Sequence, residues 1–171
     1  SIVPIHNVVF DNVGLTPEMF KIVISSLVRS KALDRLSMRN VVIDENGWKL
    51  LCKFLMRNDS IIKLDISQTK IRHDLDPRLH RSQMDWYLFI DVLQKRKGKP
   101  LEELLINGIS FNNNLPTFEG LIYSFSSSTN RNSRKLKLGI AQSHISVPEQ
   151  IEILFRWMSE KEIMGVDLAF N

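Results

Sequence analysis

The sequence predicts an α/β fold: a curved solenoid with parallel strands on its concave side and helices on its convex side. Two observations support this prediction. A pattern of apolar residues begins near residues 5, 33, 61, 101, 135 and 163, so successive copies start 28, 28, 40, 34 and 28 residues apart. Recurrence at a nearly constant interval is the sequence signature of a solenoid. Within each copy, apolar residues first alternate and then recur in steps of about four, which indicates a strand followed by a helix.

Each predicted strand carries apolar residues at the fourth and sixth places of its copy, where they alternate with polar residues. This alternation puts the apolar side chains on one face of the strand. Four leucines occupy the fourth place and are expected to point into one common row: Leu36, Leu64, Leu104 and Leu138. One strand and one helix cannot bury an apolar face alone, so stacked copies must share a core. Because a helix is wider than the spacing between strands, the stack should bend with the sheet inside.

Five helices are predicted from apolar residues at three- and four-residue steps. Their predicted inward faces are Leu15, Met19, Val23 and Leu27; Ile43, Gly47, Leu51 and Leu55; Trp86, Phe89, Ile90 and Leu93; Phe118, Leu121, Ile122 and Phe125; and Ile151, Leu154, Phe155 and Met158. Thr16 before Pro17 is typical of a helix start. Ser146 and Glu149 have the spacing of a capping box for the fifth helix.

Residues 1–171 are expected to form a single domain, because no Pro- or Gly-rich linker separates the copies. The chain has no initiator Met and its last copy is incomplete, so we interpret it as a fragment of a longer protein. Two segments depart from the repeat. The first is an insertion at residues 72–82, and the second is a polar loop at residues 126–134. Either segment could bind a partner or be a tolerated surface loop.

Composition and motifs restrict the function. No apolar stretch approaches the roughly 20 residues that span a bilayer, and the first residues do not resemble a signal peptide, so a cytoplasmic, intracellular protein is predicted. The single Cys52 cannot form an internal disulfide and falls among leucines of a predicted helix. No Gly-rich phosphate loop, nucleophile elbow or spaced carboxylate pair occurs. We therefore expect no enzymatic activity, cofactor, metal site or small-molecule substrate.

The stretch from Leu33 to Asn58 has leucines, Gly47 and an asparagine at the spacing of one family. The chain resembles the leucine-rich repeat family, and specifically its ribonuclease-inhibitor-like subclass. This resemblance implies a protein-binding scaffold without a catalytic motif. The chain departs from the family at the ninth place, where Asn or Cys is usual. The residues there are Val13, Val41, Thr69, Ile109, Ser143 and Asn171. We expect apolar packing to replace the missing amide.

Residues between the apolar positions of each strand should point into the concave face. The candidate partner-binding residues on that face are Asp11, Arg35, Arg39, Lys63, Asp65, Glu103 and Lys137. Concave sheets are the usual binding surface of solenoids, and arginine often anchors protein interfaces. This mixed charge suits a polar protein partner. The alternative is that these residues are ordinary solvated strand positions.

A second candidate is a basic rim where helices return to strands. Its residues are Lys95, Arg96, Lys97, Lys99, Arg131 and Arg134. Such a stripe could bind acidic protein, anionic lipid or nucleic acid. Cations near helix carboxyl ends are also favoured for stability alone. A net charge of only +4 and the lack of interleaved aromatic residues argue against nucleic acid.

The sequence therefore predicts an interaction scaffold of a larger intracellular protein, which binds another protein through the concave face and the basic rim. Two alternatives stay open. The first is a regulatory docking subunit for an enzyme such as a GTPase or phosphatase, which the family resemblance permits. The second is electrostatic attachment of the rim to an anionic membrane surface or RNA.

Overall fold

The computed structural model describes residues 3–72, 85–111, 114–127, 136–161 and 163–169. Apart from Arg72, the predicted insertion lies outside the described residues. The predicted loop also lies outside them, except for its first two residues. Arg131 and Arg134 of the predicted basic rim fall in the same gap.

Strands and helices alternate along the chain. The elements are β1 (Asn7–Val9), α1 (Pro17–Leu27), β2 (Arg35–Ser37), β3 (Val42–Asp44), α2 (Glu45–Arg57), β4 (Lys63–Asp65), β5 (Lys70–Arg72), α3 (Trp86–Lys95), β6 (Glu103–Leu105), α4 (Leu115–Ser127), β7 (Leu136–Gly139), α5 (Pro148–Glu160) and β8 (Ile163–Asp167). Within the described ranges, six strands form one parallel sheet in the order β1-β2-β4-β6-β7-β8. The mixed fold with a parallel sheet is therefore confirmed.

The predicted row of leucines is present. Leu36 pairs with Leu64, Leu64 with Leu104, and Leu104 with Leu138 along the sheet. All four side chains are fully buried. Helices cover this side of the sheet, and each helix packs against the next one along the chain. The strand and helix modules therefore share one apolar core, as the repeat predicts.

A second small sheet was not predicted. β3 and β5 pair in parallel, with Ile43 opposite Ile71. These residues are the eleventh-place residues of their copies, which the pattern predicts only as a turn over the core. Both are buried, and the flanking Val42 and Lys70 are exposed. The chain between strand and helix is thus extended enough in these two copies to make an additional ladder.

In the turn after each of the first five strands of the large sheet, a residue with left-handed backbone is at the eighth place of the copy, not the ninth. Left-handed backbone with φ between 52° and 71° occurs at Asn12, Asn40, Gln68, Gly108 and Gln142. Asn and Gly adopt this conformation most easily. At the ninth place, Val41 and Ile109 are buried by apolar packing as expected. The hydroxyls of Thr69 and Ser143 instead donate to carbonyls of the preceding copy.

The inward faces of α2 and α4 agree with the prediction. In α3 the predicted Trp86, Phe89 and Leu93 are buried, but Val92 is buried where Ile90 was predicted. The faces of α1 and α5 are rotated. In α5 the buried apolar residues are Ile153, Leu154 and Trp157, whereas Phe155 is 63% exposed. In α1, Phe20 and Ile24 face the core and Met19 is exposed. Both are end helices that contact one neighbouring helix in the described structure. Their sequences carry apolar residues on two faces, so periodicity alone could not select the buried one.

Helix starts were predicted with mixed success. The hydroxyl of Thr16 accepts the backbone N–H of Met19 at 3.2 Å, so the predicted cap of α1 is confirmed. The predicted capping box of Ser146 and Glu149 is wrong. Val147 is the N-cap of α5 and makes no side-chain cap bond, while Ser146 N–H donates to the Gln150 side chain at 3.2 Å. Pro148 at the first helical position sets this geometry.

The open face of the sheet as candidate functional site

One side of the six-stranded sheet turns away from the helices, and we call it the open face. It carries the third-, fifth- and seventh-place residues of each copy. The third-place row runs Asn7, Arg35, Lys63, Glu103, Lys137 and Gly165. The fifth-place row runs Val9, Ser37, Asp65, Leu105, Gly139 and Asp167. Strand pairing fixes the spacing within each row, because neighbouring strands lie about 4.8 Å apart.

Side chains on the open face accept hydrogen bonds from backbone N–H groups at the carboxyl edge of the sheet. In the second to sixth copies, a side-chain oxygen accepts the backbone N–H of the seventh-place residue. The pairs are Asp11 Oδ1 with Arg39 (2.9 Å), Asp65 Oδ1 with Ser67 (3.0 Å), Ser67 Oγ with Asn107 (3.1 Å), Asn107 Oδ1 with Ala141 (2.8 Å) and Asp167 Oδ1 with Ala169 (3.1 Å). These N–H groups extend past the strand ends, so the side chains replace ladder bonds.

Two predicted binding residues therefore have structural tasks. Asp11 Oδ1 also accepts the hydroxyl of Ser37 at 2.6 Å. The side chain of Asp65 is only 4% exposed, and its second oxygen lies 3.7 Å from Nε of Arg39, which is half-exposed. The carboxylate of Asp65 is therefore used inside the protein, and the half-buried Asp11 uses its Oδ1 to join the first two copies. The sequence could not show this, because the bond from Asp11 to Arg39 joins residues 28 positions apart.

The cations of the open face are less well neutralised. Arg35 and Lys63 are register partners on β2 and β4. Arg35 is half-buried, and its Nε is buried without a hydrogen-bond partner among the described residues. Lys63 is exposed. Within the described ranges, neither side chain forms an ion pair. Arg35 and Lys63 are thus neighbouring cations without an ion-pair partner among the described residues, and Glu103, the next residue of the row beyond Lys63, pairs with Lys137 instead.

On β6 and β7, the open face carries a partly neutralised charge pair and an apolar residue. Lys137 Nζ lies 3.6 Å from the carboxylate of Glu103, so these two predicted residues partly neutralise each other. Leu105 lies across Gly139, where an added Cβ would be 2.7 Å from its Cδ2. Glycine at 139 thus leaves room for the leucine, which gives this region an apolar surface beside the charged one.

Of the four rim residues that the structure describes, Arg96 differs from the three lysines. Arg96 is half-buried at the carboxyl end of α3, and its Nη2 donates to the carbonyls of Asn58 (3.1 Å) and Ile61 (2.7 Å). Burial lowers the pKa of the Arg96 guanidinium to about 10, against the opposing effect of Asp59. The group stays charged at neutral pH and holds the turn after α2. Its place in a partner-binding rim is therefore a correction to the sequence interpretation.

Arg96 belongs to a polar connection between consecutive copies. The buried amide of Asn58 donates to the Ser30 carbonyl at 3.0 Å. Its Oδ1 accepts the N–H groups of Ser60 (3.1 Å) and Ile61 (3.0 Å). Of the remaining rim residues that the structure describes, Lys95 pairs with Asp91 at 2.7 Å, while Lys97 and Lys99 are exposed.

Little in the described structure indicates catalysis. Cys52 is buried, and burial followed by the charge of Asp85 raises the pKa of its thiol to about 12, so the reactive thiolate is disfavoured. No group of three or more His, Cys, Asp or Glu side chains suited to a metal ion occurs within the described ranges. Among the described helices, none has the length and apolar character needed to cross a membrane.

The comparisons with known proteins agree with this architecture. The MHP1/HER1/GIP3 LRR domain family matches residues 1–171. The chain belongs to this leucine-rich-repeat domain family. It is 52% identical over 172 residues to HMG2-induced ER-remodeling protein 1 of Saccharomyces cerevisiae. It is 30% identical over 188 residues to MAP-homologous protein 1 of the same yeast. All of this chain is covered in both cases, but it spans only 14% and 13% of those relatives.

Two solved structures share the fold. The C-terminal domain of tropomodulin from Caenorhabditis elegans matches with a TM-score of 0.62 at 13% identity, covering 90% of this chain and 82% of that one. Actin-binding site 2 of leiomodin-1 matches with a TM-score of 0.57 at 16% identity, covering 90% and 78%. At such low identity these likenesses establish the strand and helix arrangement alone.

Proposed function

We propose that this domain is a protein-interaction module of a larger intracellular protein, and that its partner binds on the open face of the sheet. In this proposal the stack follows the ribonuclease-inhibitor-like plan and curves with the open face inside. The main support is the six-stranded sheet itself. In the described structure, no helix or loop covers its open face, which presents polar side chains at fixed spacing. Fixed spacing of such side chains limits the ordering entropy lost on binding.

The proposal assigns no catalytic activity to the domain. Cys52 is buried as a thiol, and the polar residues of the open face are strand positions rather than a converging set in a cleft. The yeast relatives, one of them named for ER remodelling, are much longer, since this chain spans only 14% and 13% of them. A binding module within such long chains would bring a partner to whatever activity the rest of the protein has.

Photo-cross-linking tests the assignment of the face. Benzoylphenylalanine is introduced at Val9 or Lys137, both exposed on the open face, or at Lys49, exposed on the helical side. The full-length protein is irradiated in yeast cells, and cross-linked proteins are identified by mass spectrometry. We expect one partner from both open-face positions, and that partner, once purified, should form the same cross-links.

The control position decides between faces. If Lys49 yields the same partner as efficiently as Val9 and Lys137, the open face is not the binding surface. If the purified partner fails to cross-link at the open-face positions while still binding the domain, the proposal is wrong. The cross-linker is tolerated at all three positions only if the thermal unfolding midpoint is unchanged, which circular dichroism measures.

A further inference from the structure

We infer that the open face binds an acidic segment of the partner protein, with carboxylates contacting Arg35, Lys63 and Arg39. This inference rests on the proposed function and adds the chemistry of the partner. The sequence alone suggests a mixed-charge face, because Asp11 and Asp65 alternate with the cations. Asp65 is buried, and Oδ1 of the half-buried Asp11 is already engaged by the Arg39 N–H and the Ser37 hydroxyl, so the cations are the more accessible charges.

Repulsion between Arg35 and Lys63 raises the electrostatic energy of the free protein. Arg35 and Lys63 are directly opposite each other on adjacent parallel strands. Like charges in that position repel, whereas an anion placed over both is attracted to both. The nearest acidic residue of the row, Glu103, is partly buried and lies within 3.6 Å of Lys137. A partner carboxylate would therefore supply the charge that the fold leaves out.

Arg35 has the geometry for carboxylate binding. Its backbone is fixed in β2, where its N–H donates to the His6 carbonyl at 3.0 Å. Its Nε is buried without a partner among the described residues, while the side chain as a whole is only half-buried. A guanidinium offers a planar pair of donors that matches a carboxylate. Strands lie about 4.8 Å apart, and same-face side chains of an extended segment lie about 6.8 Å apart, so two carboxylates at residues i and i+2 are within reach of Arg35 and Lys63 together.

Arg39 extends the site toward the carboxyl edge of the sheet. Its guanidinium is half-exposed and touches Asp65 only through Nε, at 3.7 Å. The ion pair positions the side chain and leaves its terminal nitrogens for a ligand. The three cations thus occupy two neighbouring copies on one face, within the reach of a short peptide.

The test uses a fluorescent oligoglutamate peptide and two double variants with equal changes in net charge. R35Q/K63Q removes the paired cations of the open face. K49Q/K53Q removes two exposed lysines of α2 on the helical side. At an ionic strength of about 0.15 M, where the Debye length is about 8 Å, we expect R35Q/K63Q to weaken peptide binding at least about tenfold, equivalent to roughly 1.4 kcal/mol. K49Q/K53Q should change affinity less than about twofold, because distant exposed charges are screened. Fluorescence anisotropy measures both, with thermal unfolding as the check on folding.

Equal weakening by the two double variants would indicate attraction to net charge and would overturn the inference. Absence of oligoglutamate binding by the wild-type domain would do the same. The inference is also wrong if the domain binds phosphatidylserine vesicles more tightly than the peptide and R35Q/K63Q abolishes that binding. In that case the ligand of these cations is an anionic membrane surface. If cross-linking at Val9 and Lys137 still captures the partner while oligoglutamate does not bind, the proposed function stands and this inference alone is wrong. If both experiments fail, both are wrong.

Discussion

Arg96 and Lys97 are adjacent basic residues with different physical situations. The Arg96 guanidinium donates to two carbonyls in the turn after α2, whereas Lys97 is exposed to solvent. We expect Arg96→Ala to lower the free energy of unfolding by about 2 kcal/mol, because buried carbonyls lose a charged donor. Lys97→Ala should change it by less than about 0.5 kcal/mol. Urea unfolding followed by circular dichroism measures both.

The same pair of variants separates stability from binding at the residue scale. Folded Arg96→Ala should bind oligoglutamate as well as the wild type, because Arg96 lies away from the open face. Similar stabilities for the two variants would contradict the role given to the Arg96 hydrogen bonds. A loss of peptide affinity in the folded Arg96 variant would restore this residue to a binding surface.

At the scale of single elements, the N-cap residue of α5 makes no side-chain cap bond. It is Val147, in extended conformation, whose side chain has no oxygen to accept the first N–H groups of the helix. We expect Val147→Thr to raise the free energy of unfolding by about 0.5–1 kcal/mol, because threonine has nearly the same shape and adds a capping hydroxyl. Val147→Ala is the control, since it shortens the side chain and adds no acceptor. Equal stabilities of the Thr and Ala variants in urea unfolding would show that the hydroxyl does not cap α5.

The helices also show where periodicity is informative. The predicted inward faces of α2 and α4 agree with the structure because each helix lies between two others and has a single apolar face to bury. The face of α5 could not be chosen, because Phe155 and Trp157 lie on different sides of the helix and both are apolar. Only contact with α4 decides that Trp157 is buried. Local spacing therefore predicts that an end helix exists but not how it is rotated.

For the whole molecule, the repeat predicts the parallel sheet and the row from Leu36 to Leu138, because identical spacing forces equivalent positions into register. The candidate site was predicted less well. The cations Arg35 and Lys63 were placed on the correct face of the sheet. The bonds of Asp11 and Asp65 were missed, since they depend on where a side-chain oxygen meets a backbone N–H. The positions of charged residues in the sequence therefore do not show which charges are accessible on the surface, because some of them are engaged in hydrogen bonds within the protein.

A stack in which each copy contacts only its neighbours should be most stable in its middle. Leu64 is fully buried with β2 and β6 on either side of its strand, whereas Val8 lies half-buried on the edge strand β1. We expect Leu64→Ala to lower the free energy of unfolding by about 3 kcal/mol, since it leaves a cavity in the core. Val8→Ala should cost about 1 kcal/mol and act mainly on the first copy. In native-state hydrogen exchange, the wild-type amides of β4 should be protected most and those of β1 and β8 least. Uniform protection from β1 to β8, with equal losses for both variants, would mean that the domain unfolds as one cooperative unit and that neighbour contacts do not grade its stability.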